Sequence, residues 1–188
     1  MNSDVDKMNF QRPQGRLFDF GLPDLDSETG YRGPVACKVA DITYRQLDYW
    51  ARTGLVKPTV RCATGSGSQR LYSFKDILVL KVVKKLLDTG VSLQQIREAI
   101  NHLKARNVDD LASITLMSDG ATVYECTSAN EIYDLVQGGQ GVFGIAIGSV
   151  WNEIEAKLVS FPSQHVSELD ADSSDVHLSR YKKNKISL

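Results

Sequence analysis

Between positions 43 and 72 the chain gathers Arg45, Arg52, Arg61 and Arg70 with Lys57, Tyr44, Tyr49 and Tyr72. Guanidinium and ammonium groups interleaved with phenols are suited to phosphate oxygens and base edges. Their spacing says how they would be presented. Thr43 stands three residues before Gln46, the capping-box arrangement, so a helix should begin at Tyr44, and Gly54 should stop it. Thr43, Tyr44 and Arg45 then occupy the start of that helix, the end that meets base edges when a helix lies in a DNA major groove. Arg45 can bridge a guanine edge or a phosphate. Tyr49 and Arg52, further along, suit phosphates, which set register without reading sequence. Leu47 and Trp50 share a face at helical spacing and should be core.

These side chains need elements to hold them. Gly33-Pro34 should open a short helix, with Pro34 tolerated in its first turn. A tight break at Asp41-Ile42 leads into the helix from Tyr44, so the pair reads as a helix-turn-helix. Pro58 to Tyr72 reads as a hairpin, with strands at 59–61 and 69–72 and a Gly/Ser tip at 65–68. Lys57, Arg61 and Arg70 would surround that tip as a wing gripping the DNA backbone, with Tyr72 adding a hydroxyl. Ser73 with Asp76, and Ser92 with Gln95, cap two further helices. In the first of these Ile77, Leu80, Val83 and Leu87 should face inward and Lys81, Lys84, Lys85 and Asp88 outward.

After a polar connection the composition changes. Segments 114–117 and 121–126 flank Ser118-Asp119-Gly120 as strand, turn and strand; Ser128 with Glu131 caps a helix; 142–147 is a buried strand. Val150, Trp151, Ile154 and Leu158 then mark an amphipathic helix. That makes a small ββαβα unit, marginal in isolation. Its apolar helix face, with the 142–147 strand, is the surface expected to pair two copies; its plainer role would be the unit's own core. The resulting division is a disordered tail (1–31), a mainly α DNA-binding domain (32–104), a linker (105–113), a small α/β dimerisation or effector domain (114–162) and a second disordered tail (163–188).

The net charge of −1 hides an asymmetry. Residues 33–107 hold thirteen Lys and Arg against five Asp and Glu, a net of +8, whereas 108–188 sum to −7. A basic middle between acidic flanks points to an anionic partner for the middle. There is no apolar run approaching a membrane span of roughly 18 residues and no signal-peptide pattern, so the expectation is a cytoplasmic protein. Cys37, Cys62 and Cys126, and His102, His165 and His177, show neither zinc-ligand nor disulfide spacing. Gly139, Gly141 and Gly144 match a dinucleotide fingerprint on paper. There a helix precedes and a strand follows, the reverse of what pyrophosphate binding needs. Asp119 and Glu125 have no basic or nucleophilic partner at fixed spacing. No catalytic residue, metal or cofactor is therefore expected.

The order helix-turn-helix, wing and helix pair, with Arg45, Tyr49, Arg52, Gly54-Leu55, Arg70-Leu71-Tyr72 and Ser92-Leu93…Ile96-Arg97, resembles the MerR family of transcription regulators over about residues 34–104. The resemblance implies a winged helix-turn-helix and a dimer on double-stranded promoter DNA. Distortion of the spacer would then let RNA polymerase engage. It strengthens Arg45, Arg70 and Tyr72 as DNA contacts. Asp48-Tyr49-Trp50-Ala51 stands where the family often has Arg-Tyr-Tyr-Glu, so base preference does not transfer. The long dimerisation helix and the cysteine pair of metal-sensing members are also absent. Ser118–Tyr124 and Gly139–Ile145, in a tail-plus-α/β layout, resemble the actinobacterial FtsR-type subgroup, associated with activating a cell-division gene. Two other readings stay open: a winged helix used as a protein adaptor, and an architectural DNA binder without sequence preference.

Overall fold

The computed structural model describes residues 28–62, 69–105, 111, 113–137 and 141–167. Strand β1 (Thr29–Arg32) leads directly into helix α1 (Gly33–Ala40). Asp41, in the left-handed region at φ 62°, ends α1, and the Ile42 N–H closes back on the Cys37 carbonyl at 3.0 Å. Helix α2 (Tyr44–Arg52) starts on a complete capping box. The Gln46 N–H donates to Thr43 Oγ1 at 3.2 Å, and the Thr43 N–H donates to Gln46 Oε1 at 2.9 Å. Gly54, at φ 75°, carries the turn that follows.

Of the hairpin expected over 58–72 the described residues hold one bridge, Arg61 to Leu71, and positions 63–68 lie outside them. Strand β2 (Leu71–Tyr72) takes its main partner from elsewhere. It pairs antiparallel with β1, Tyr31 opposite Tyr72 and Arg32 opposite Leu71. The other edge of β1 holds β6 (Gln164–His165) antiparallel, giving the sheet order β2-β1-β6. Gly30 is required at this crossing, because a Cβ there would meet Leu71 Cβ at 3.0 Å. Two boundaries are thereby corrected. Residues 29–31 and 164–165, assigned to tails, are strands that complete each other's hydrogen bonds. Residues 1–27 and 168–188, assigned to the same tails, lie outside the described residues.

Helix α3 (Phe74–Asp88) opens on the Ser73–Asp76 capping box. Asp76 also accepts from the Thr59 N–H at 2.8 Å and the Thr59 hydroxyl at 2.9 Å, tying the segment after α2 to the start of α3. Burial pushes its carboxyl up, and these hydrogen bonds oppose the shift. Helix α4 (Leu93–Ala105) begins with the Gln95 N–H on Ser92 Oγ at 3.3 Å. The C-terminal unit is an antiparallel sheet of order β4-β3-β5, from β3 (Thr115–Ser118), β4 (Val123–Cys126) and β5 (Phe143–Ala146). Asp119 shapes its first turn by accepting from the Ala121 and Thr122 N–H groups at 2.9 and 2.7 Å. Those bonds lower its pKa. Helix α5 (Ala129–Gln137) packs on β4, and helix α6 (Ile147–Leu158) follows β5 without a loop.

The two units share one apolar core, which runs from Tyr31 and Ala36 through α3 to Ile145, Ile154 and Leu158. α6 packs on α3 and α1, with Trp151 stacked at a tilt on Phe74, centroids 4.6 Å apart. Lys38 places its ammonium 5.1 Å from the centroid of Phe161. This corrects the outward placing of Lys81. It is buried, with its ammonium 3.3 Å from Glu153 of α6. Lys85 and Lys157 approach the same carboxylate, at 3.6 and 2.9 Å. It corrects the dimer surface as well. Val150, Ile154 and Leu158 are buried and Trp151 is half-buried inside this chain's own core. A face that satisfies its apolar surface within one chain is not offered to a second.

Ile154→Ala should cost about 2–5 kcal/mol, the usual range for emptying a core site. Because the core is continuous, far-UV circular dichroism and tryptophan fluorescence should report one coincident denaturant transition. Two separated transitions would mean that the units fold independently. Glu153 titrates at about 2, below the ordinary 4.5, chiefly through its hydrogen bond to Lys157 and also through Lys81. A depressed carboxylate stabilises above its unfolded pKa and loses that contribution as pH falls through the folded one. The Tm difference between wild type and Glu153→Gln should thus be full at neutral pH, shrink from about pH 4.5 downward and vanish near pH 2.

Candidate nucleic-acid interface

The capping box sets the phase of α2. With Leu47 and Trp50 buried, the helix turns Tyr44, Arg45, Tyr49 and Arg52 outward. Tyr44 is 63% exposed and Tyr49 48%, high values for phenols in a packed domain. Thr43 is also exposed, but its hydroxyl is committed to the cap. Arg45 lies open to solvent at the first turn.

Asp48 organises the cations. Its carboxylate takes Arg52 Nε at 2.9 Å on one oxygen and Arg70 Nη1 at 2.9 Å on the other. One side chain of α2 thus fixes an arginine of its own last turn and an arginine arriving from the 61–71 loop. The Arg70 hydrogen bond is the main cause holding Asp48 below the usual carboxylate range, and in return Arg70 is raised. The sequence reading did not single out Asp48 as a site residue. Its signal was the carboxylate at a place where the resembling family often carries arginine.

The other expected residues divide. Arg61 is half-buried at the base of the loop, where its backbone bonds Leu71 in both directions at 3.2 and 3.0 Å. Lys57 is exposed, but it faces a different cleft with Lys75, Lys104 and the buried Asp76. There the Lys104 ammonium donates to the Leu55 carbonyl at 2.6 Å. Tyr72, expected to add its hydroxyl to the wing, is fully buried between β1 and the core. Burial pushes its phenol up to about 12. The Arg70 guanidinium beside the hydroxyl opposes that rise. Arg32, Gly33, Pro34, Tyr44, Leu47, Asp48, Gln69, Arg70 and Tyr72 line one cleft of about 370 Å³. It joins the start of α1, the exposed face of α2 and the end of the loop.

Among the described residues no group of three His, Cys, Asp or Glu side chains is placed to hold a metal ion, and no helix is long and apolar enough to cross a membrane.

Residues 31–103 match the family described as MerR HTH family regulatory protein. Over 147 residues the chain is 67% identical to an uncharacterized HTH-type transcriptional regulator of Mycobacterium tuberculosis, covering 78% of this chain and 64% of that protein. It is 30% identical over 83 residues to the HTH-type transcriptional regulator HmrR of Sinorhizobium medicae, 43% of this chain and 54% of the relative. It is 28% identical over 86 residues to heavy metal-dependent transcription regulator 1 of Rhizobium meliloti, 45% of this chain and 56% of the relative. The chain thus spans less than two thirds of the length of these relatives.

Thr43→Ala should destabilise the protein by about 0.5–2 kcal/mol through loss of the cap. Urea denaturation measures this, and an unchanged midpoint would show that α2 is held by packing alone.

Proposed function

We propose, from a chain whose residues 31–103 match the MerR family of helix-turn-helix regulators, that the protein is a sequence-specific DNA-binding transcription regulator. The observation that carries this reading is the face of α2. Its buried side is apolar, and its open side holds Tyr44, Arg45, Tyr49 and Arg52, bound through Asp48 to Arg70. Laid in a major groove, α2 would bring Arg45 to base edges at its N-terminal end, while Tyr49 and Arg52 meet phosphates. The 61–71 loop would act as a wing on the flanking backbone, with Arg61 and Arg70 at its base. The basic character of residues 33–107 would supply the sequence-independent attraction.

Further parts of the reading rest on the family resemblance. The regulator works as a homodimer, since one recognition helix reads only a short half-site and a two-fold pair doubles it. It activates by distorting promoter DNA so that RNA polymerase engages, and cell-division genes are the proposed targets. It acts in the cytoplasm, on the nucleoid. The buried face of α6 does not supply the dimer contact.

A salt titration on a selected promoter duplex and a random duplex tests the core of this reading. The specific duplex should bind about 10³-fold or more tightly at physiological salt. A ratio near one would make the protein an architectural binder, and no binding even in dilute buffer would end the DNA reading. Arg45→Ala should cost about 1–3 kcal/mol and relax preference at one base pair. Equal weakening on every duplex would reduce Arg45 to a phosphate anchor.

A further inference from the structure

A second cleft, of about 340 Å³, is built from three places in the fold: the 54–59 segment after α2, the first turns of α3 and the last turn of α4. It shares no lining residue with the cleft beside α2, and the helix-turn-helix reading gives it no task. Val56 and Val79, both buried in the core, give it an apolar floor. Lys57, Lys75 and Lys104 line its walls. An apolar floor, a few polar groups and a volume of this size are the usual make-up of a small-molecule site.

Each lysine is positioned by a contact of its own. The Lys104 ammonium donates to the Leu55 carbonyl at 2.6 Å, and the Lys75 ammonium donates to the Lys104 carbonyl at 3.1 Å. These two bonds lace the end of α4 to the segment after α2 and to the start of α3. Lys57 lies back over the turn: a Cβ added at Gly54 would stand 3.5 Å from Lys57 Cε. An ammonium has three N–H donors, so Lys104 keeps donors to offer after its bond to Leu55.

The charge there favours an anion. Among the described residues the cleft sets one carboxylate, Asp76, against the three lysines. Asp76 is buried and already occupied. The Thr59 N–H, the Thr59 hydroxyl and the Ser73 N–H converge on its Oδ2 at 2.8, 2.9 and 2.9 Å. Burial lowers the Lys104 pKa, and Arg97 and Lys57 lower it further, while Asp76 opposes them. Cations crowded against an apolar wall repel one another, and an added anion relieves that repulsion.

We propose that this cleft binds a small organic anion with at least two negative charges, a phosphate ester or a polycarboxylate. Its acid groups meet Lys57, Lys75 and Lys104, and its carbon body lies on Val56 and Val79. Ammonium groups act as point charges on flexible stems, so they accept either kind of acid. The proposal goes beyond the DNA reading and stands without it. The bound anion would tie the end of α4 to the 54–59 segment, which leads directly to Arg61 at the base of the loop. Occupancy would therefore stiffen the joint between α4 and that loop.

Isothermal titration calorimetry of the full chain tests this, with citrate, glycerol 2-phosphate and inorganic phosphate each compared with sodium chloride of equal ionic strength. Citrate or glycerol 2-phosphate should bind at a single site with a Kd of about 1 mM or tighter. Whichever binds more tightly identifies the acid. Lys57→Gln and Lys104→Met should each weaken that binding about tenfold, as expected for a lost hydrogen bond to a charged group. Lys104→Met also loses the bond to Leu55, so Lys57→Gln, at an exposed position, is the variant that separates binding from folding. Inorganic phosphate binding as tightly as the organic anions would mean that the two valines contribute nothing, and overturns the proposal. Equal affinity in wild type and Lys57→Gln overturns it too, as does the absence of binding by both organic anions. If no small anion binds and Lys57→Gln instead lowers the salt slope of duplex binding, the lysine serves the DNA backbone and the proposal fails.

Discussion

Helix α3 must be covered on every side, and the rest of the structure follows from that requirement. Ten of its fifteen residues are buried, Asp76 and Lys81 among them. A helix that is apolar nearly all round cannot stand at the surface of a small domain. α1, α4 and β2 cover part of it, and α6 of the C-terminal unit covers a further face. The α/β unit is therefore the missing wall of the helix-turn-helix core as much as a neighbour to it.

Closing that wall brings charge inside. Lys81 is buried by α6, and Glu153 arrives on the same helix to pair with it. A buried ammonium without a partner would cost several kcal/mol, so the ion pair offsets a penalty that docking itself creates. Lys85 and Lys157 share the same carboxylate. Part of the positive charge counted in residues 33–107 is thus spent at an internal joint. Arg52 and Arg70 take no part in that joint: they meet on Asp48 of α2.

The second joint is the sheet β2-β1-β6. Its central strand runs straight into α1, one edge comes from the loop that carries Arg70, and the other from the segment just after α6. The start of the helix-turn-helix, the base of the loop and the C-terminal unit are therefore hydrogen-bonded in one ladder. A displacement of α6 against α3 would be felt at β1, and so at the cleft that Arg32 and Arg70 line. That is a physical route from the C-terminal unit to the cleft beside α2.

The residues themselves determined whatever depends on neighbours in sequence. The capping pairs Thr43 with Gln46 and Ser73 with Asp76, the stop at Gly54, and the exposed Tyr44, Arg45, Tyr49 and Arg52 opposite a buried Leu47 and Trp50 are all set within one or two helical turns, so spacing alone reveals them. What the tertiary structure decided was which apolar or charged surface is covered, and by what. Periodicity shows that Val150, Ile154 and Leu158 share a face, but it cannot distinguish a second chain from α3 of the same chain. Lys81 reads as solvated until α6 is seen over it, and Tyr72 as a hydroxyl of the wing until β1 is seen beside it. Arg32 and Gln164, 132 positions apart, meet only because two edges of one strand each needed a partner. Local signals fix conformation through hydrogen bonds a few residues long, whereas burial and pairing are settled by surfaces that meet only after the chain has folded.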